Sequence, residues 1–167
     1  MATFKDYLEN KSLLILHGAL GTEMEALGYD ISGKLWSAKY LIEKPEVIQK
    51  IHETYVAAGA DLITTSSYQA TLPGLVEAGL TEKAAEQIIA LTVQLAKAAR
   101  YKVWAALDET EKAKRPYPLI SGDVGPYAAY LANGSEYSGD YGQITIEELK
   151  EFHRPRIQFL LNQGVYL

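Results

Sequence analysis

Cysteine is absent from the 167 residues, which excludes disulfides, thiolate nucleophiles, iron–sulfur clusters and every zinc site built on sulfur. No apolar run approaches the roughly 20 residues of a transmembrane helix. The opening Met1-Ala2-Thr3-Phe4-Lys5-Asp6-Tyr7 is polar and mixed, without the basic start and apolar core of a signal peptide, so a cytoplasmic location is expected. Runs of Lys and Arg are also missing, and the net charge of -5 is spread along the chain, so neither nucleic acid nor a membrane is an expected partner. The histidines, His17, His52 and His153, lie far apart in sequence, which argues against a histidine metal site.

What is present is an ordinary hydrophobic fraction of 48%, enough for one domain with a sizeable core. The chain is short for a complete eight-stranded β/α barrel, which needs about 250 residues. Residues 11–16 end in Leu13-Leu14-Ile15-Leu16, a short run expected to be a first strand covered on both faces. A short helix is expected over residues 22–28, and Pro45 opens another whose apolar positions Val47, Ile48, Ile51, Tyr55 and Val56 recur at helical spacing up to Gly59. Residues 60–68 follow as a second strand. A long helix is predicted over residues 82–107 behind Thr81, and residues 112–118 read as a loop leading to a third strand at residues 119–122. Residues 133–143 read as an ordered surface loop. Thr145-Ile146-Glu147-Glu148 then satisfies a capping box for a helix to Asn162, with a perturbation expected at Pro155. Helix, glycine and apolar strand onset recur at residues 55–62 and 160–167, which implies parallel strands joined by crossover helices.

In such architectures ligands bind beyond the carboxyl ends of the strands. The loops there are His17-Gly18-Ala19-Leu20-Gly21-Thr22-Glu23, Ser66-Ser67-Tyr68-Gln69-Ala70-Thr71 and Ser121-Gly122-Asp123-Val124-Gly125-Pro126-Tyr127. Each combines small residues with groups that can orient a ligand. The glycines of the first loop could aim N–H groups at a phosphate, but the pattern is neither a dinucleotide fingerprint nor a P-loop, no lysine follows Gly21, and turn formation is the favoured explanation. A β/α enzyme acting on a phosphorylated metabolite therefore stands as one alternative. His52 and His153 are expected on helices in surface or packing roles, Trp36 as a buried anchor, and the tyrosines Tyr127, Tyr130, Tyr137 and Tyr141 as loop packing or an aromatic wall.

The same loops, with Leu35-Trp36-Ser37-Ala38, His52-Glu53-Thr54-Tyr55, Gly59-Ala60-Asp61, Thr64-Thr65-Ser66-Ser67-Tyr68-Gln69-Ala70, Val124-Gly125-Pro126-Tyr127, Gly134-Ser135-Glu136-Tyr137, Gly139-Asp140-Tyr141 and Phe152-His153-Arg154-Pro155-Arg156, resemble the homocysteine S-methyltransferase family over nearly the whole chain. The resemblance implies an α/β fold: a partial (β/α)8 TIM-type barrel of roughly the first three to four βα units, with residues 1–167 as a single domain that stops before the zinc-ligand strands. It implies zinc held by cysteine thiolates in the complete family, activating homocysteine for attack on the methyl of S-methylmethionine or S-adenosylmethionine to give methionine. With no cysteine, this chain is expected to hold no zinc and to be inactive alone; pairing with itself or a complementary half-barrel through open sheet edges is the non-enzymatic alternative. The resemblance places substrate-binding residues at His17, Gly18, Thr22, Glu23, Thr65, Ser66, Ser67, Tyr68, Gln69, Asp123 and Tyr127. Five positions depart from the family pattern: His17 stands where Asp is usual, Asp123 where Ser is common, Ala128 where Gly is common, and Val165-Tyr166 where Ala-Asp is expected. An imidazole at position 17 does not reproduce a carboxylate's attraction for an ammonium.

Overall fold

A computed structural model describes residues 4–10 and 13–166. Along the chain run helix α1 (Phe4–Asn10), α2 (Leu20–Ala26), a 3-10 turn (Trp36–Lys39) continuing into α3 (Tyr40–Glu43), α4 (Pro45–Ala57), strand β1 (Leu62–Thr64), α5 (Leu72–Glu77), α6 (Glu82–Ala106), α7 (Glu109–Ala113), strand β2 (Leu119–Ser121), α8 (Tyr127–Leu131), α9 (Ser135–Ser138) and α10 (Ile146–Asn162). The helix starts follow local chemistry. Pro45 occupies the first turn of α4, where its missing N–H costs nothing. The Thr81 hydroxyl caps α6 by accepting from the Ala84 amide, and Thr145 and Glu148 form the expected capping box. Helix α10 continues through Pro155 to Asn162, where the sequence led us to expect a perturbation.

β1 and β2 pair in parallel, with Leu62 opposite Leu119 and Thr64 opposite Ser121. Two further segments extend this pair by single parallel bridges, Leu16 to Leu62 on one side and Tyr166 to Ser121 on the other. The parallel segments thus lie side by side in chain order, and among the described residues they do not close into a barrel.

The expected strands are shortened. Residues 60–68 supply only Leu62–Thr64; the Thr65 amide still donates to the Ser121 carbonyl at 2.9 Å, and the chain then turns into the loop where Thr65 and Ser67 bond to each other and to Asp123. Residues 119–122 supply Leu119–Ser121. The first strand needs a larger correction. Residues 11 and 12 lie outside the described residues, and the remainder is held by the Asp61 and Leu62 amides donating to the Ile15 carbonyl and by the His17 amide donating to Leu62. It is not covered on both faces: Leu13 is 77% exposed, Ile15 58% and Leu16 55%, since no strand among the described residues pairs with its outer edge.

The core lies between the sheet and the helices that follow its strands. Ile48 and Ile51 from α4, Ala85, Ile89, Val93 and Ala96 from α6, Leu160 from α10 and Ile120 from β2 form one cluster with Met24 and Leu41. Helix α1 is tied to the opposite end of the sheet, where the buried Tyr7 donates to the Tyr117 carbonyl at 2.8 Å, just before β2. No helix among the described residues is long and apolar enough to cross a membrane.

Candidate functional site

The loops after the first segment, β1 and β2 converge on one cleft of about 780 Å³ at the carboxyl ends of the strands. His17, Gly18, Thr22, Thr65, Ser66, Tyr68, Gln69 and Asp123 line it. Glu23, Ser67 and Tyr127 do not. Glu23 belongs to the first turn of α2, Ser67 is fully buried behind the wall, and Tyr127 packs edge-on against Phe152, 5.0 Å between centroids. The lining also includes Glu25, Trp36, Ser37, His52, Thr64, Glu136 and Tyr137. Of these, Glu25 comes from α2 and Thr64 from the end of β1, while Trp36 and Ser37 come from the segment before α3, His52 from α4, and Glu136 and Tyr137 from α9, and no motif in their own stretches announces that they meet.

The walls are tied together by main-chain and hydroxyl contacts. The Asp123 amide donates to Thr65 Oγ1 at 2.9 Å, and Ser67 Oγ donates to the Asp123 carbonyl at 2.7 Å. A hydroxyl has one proton, so in the 2.6 Å contact between Thr65 and Ser67 it is Thr65 that donates. Arg156, only 2% exposed, reaches from α10 and gives Nη1 to the carbonyls of Ser67 and Tyr68, and Nη2 to that of Gly125. Burial pulls its pKa down to about 10, against a smaller opposing effect of the Asp123 charge. At Gly125 a side chain would collide with the Tyr68 carbonyl, so the two loops approach this closely only because glycine stands there.

His17 sits at the other end of the cleft with Nε2 2.6 Å from Thr64 Oγ1 and its ring against Tyr55 and His52, at 5.3 and 6.0 Å between centroids. Gly18 is held by the same tyrosine: a Cβ there would lie 2.7 Å from the Tyr55 ring. Burial lowers the pKa of His17, and lowers that of His52 to about 3 with a further contribution from His17, so both imidazoles are neutral at pH 7. His52 Nδ1 and Nε2, His17 Nδ1 and Ser66 Oγ are buried without a hydrogen-bond partner. The packing role expected for His52 is borne out, but its ring also reaches the cleft wall. Trp36 lines the cleft in a left-handed backbone conformation, φ 46°, which a bulky residue rarely adopts. It is 42% exposed, which corrects the expectation of a buried anchor.

The family model described as homocysteine S-methyltransferase matches residues 14–167. The chain is 44% identical to homocysteine S-methyltransferase YbgG of Bacillus subtilis over 164 residues, covering 98% of this chain and 51% of that one. It is also 44% identical to homocysteine S-methyltransferase 1 of Zea mays, covering 90% of this chain and 47% of that one. The crystal structure of the metallated form of the homocysteine methyltransferase MmuM from Escherichia coli superposes with a TM-score of 0.83 at 44% identity, over 95% of this chain and 53% of that one. The chain therefore spans about half the length of the relatives it matches. The zinc–thiolate centre that the resemblance implies does not fit the residues present: the sequence has no cysteine, and no three His, Asp or Glu side chains among the described residues come together as a metal site.

Proposed function

The chain belongs to the homocysteine S-methyltransferase family, and from that premise we propose that it is the substrate-holding first part of such a β/α barrel, carrying three to four βα units and no reactive centre. The cleft shared by the strand-end loops carries this reading. Gly18 and Thr22 of the first loop and Thr65, Ser66, Tyr68 and Gln69 of the second surround the amino-acid end of homocysteine. The unpartnered Ser66 hydroxyl and the loop amides receive its carboxylate. Ser67 acts from behind the wall by fixing the second loop against Asp123, Glu23 belongs to the first turn of α2, and Tyr127 packs at the start of α8 against Phe152 and Tyr130. Nothing in this set activates a thiol.

The test is methionine formation by the purified chain from homocysteine and S-methylmethionine with zinc supplied. No turnover is expected, together with saturable homocysteine binding by calorimetry; clear turnover overturns the inactivity, and absent binding overturns the substrate-holding role. A second reading, pairing through the sheet edge with another copy or a complementary half-barrel, is favoured by the exposed Leu13, Ile15 and Leu16.

A further inference from the structure

The cleft carries charge of only one sign. Its charged lining residues are Glu25, Asp123 and Glu136, with no Lys or Arg among them, and its two imidazoles are neutral. Asp123 is the acid whose surroundings are most constrained. Its amide and carbonyl are fixed by Thr65 and Ser67, yet its carboxylate makes no hydrogen bond and no ion pair among the described residues. Arg156 lies behind the wall with both Nη atoms committed to loop carbonyls. Burial raises the Asp123 pKa, and the Arg156 charge opposes this, so the half-buried carboxylate has lost part of its water without a hydrogen bond or ion pair in return among the described residues.

The neighbours complete the description. Tyr68 lines the cleft with both Asp123 and Glu136; burial pushes its phenol up, and the charges of the two acids add to this. Tyr137 lines the same wall. Two polar side chains more than nine-tenths buried, Ser66 and His52, line the cleft with unpartnered atoms, an independent sign that a ligand's polar groups are missing from it. Carboxylates and aromatic rings lining one cleft are the combination that recognises organic cations, the former by charge and the latter by ring quadrupole.

We propose that Asp123, in the cleft it lines together with Glu136, Tyr68 and Tyr137, is the specificity-determining residue of the cleft and receives the onium group of the ligand, ammonium or sulfonium. The proposal rests on the reading of the cleft as the ligand site. It assigns the cation to the third loop and leaves His17, neutral and held to Thr64, as a spacer on the opposite wall.

Calorimetric titration of the full chain tests it with three probes: L-homocysteine, 4-mercaptobutanoate, which keeps thiol and carboxylate but lacks the amine, and trimethylsulfonium as a bare sulfonium. Asp123→Asn is expected to weaken the onium that binds by at least tenfold, Asp123→Glu to retain part of the affinity, and both variants to treat 4-mercaptobutanoate as the wild type does. Asp123→Ser is the second charge-removing variant should the asparagine form fail to fold, as judged by circular dichroism. Homocysteine bound equally by the wild type and the charge-removing variant overturns the role of Asp123 and leaves the homocysteine reading standing. Trimethylsulfonium bound in an Asp123-dependent way without homocysteine binding does the reverse. A wild type that binds neither onium overturns the proposal.

Discussion

His52 and Arg156 show how burial sets the behaviour of single residues in this fold. Because His52 is held neutral with a pKa of about 3 against an ordinary 6.5, its contribution is fully present above about 6.5 and is lost as pH falls toward 3, where the unfolded chain binds the proton more readily. His17 and His153, also lowered by burial, act in the same direction. The thermal midpoint should therefore drop between pH 7 and pH 5, and His52→Gln should flatten that slope; equal slopes would show that His52 does not titrate on unfolding. Arg156→Met strips three carbonyls of their donor and should cost on the order of 3 kcal/mol in urea unfolding. Arg156→Lys should recover only part of this, since an ammonium lacks the guanidinium's planar fork. Neither role is legible in the residue's own stretch of sequence. Helical spacing puts His52 on a face of α4, but only the packing of α4 beside the first segment brings that face to His17.

At the level of elements, capping chemistry was readable and strand extent was not. The Thr145–Glu148 box and the Thr81 cap are short-range contacts, complete within one turn of chain. Thr145→Ala should lower stability by about 1 kcal/mol in chemical denaturation, as loss of an N-cap does elsewhere, with α10 frayed at its start in hydrogen exchange. β1 ends at Thr64: the Thr65 amide still donates to the Ser121 carbonyl, and the chain then leaves the ladder for a loop tied across to Asp123, 58 positions from Thr65. The short helices α5, α7 and α8 escaped the sequence reading for the related reason that each spans at most two turns, too few for an apolar period to register.

At the scale of the whole molecule, the order of parallel segments gives one sheet with an uncovered flank. Leu13, Ile15 and Leu16 make that flank apolar, and an apolar open edge promotes association. Ile15→Lys should reduce any self-association seen by light scattering; a wild type that is monomeric at all concentrations would show that the edge is tolerated and would remove the pairing reading.

The sequence by itself determined the βα alternation, the loops that carry the site and the absence of thiol ligands, because periodicity, glycine placement and composition are properties of short stretches or of the whole count. Only the tertiary structure decided that Glu136, Tyr137, Trp36 and His52 join those loops around one cleft, that Ser67, Glu23 and Tyr127 stand outside it, and that the Asp123 carboxylate has no hydrogen bond or ion pair among the described residues. These outcomes depend on which distant segments pack together, and contacts of long sequence separation leave no local pattern to read.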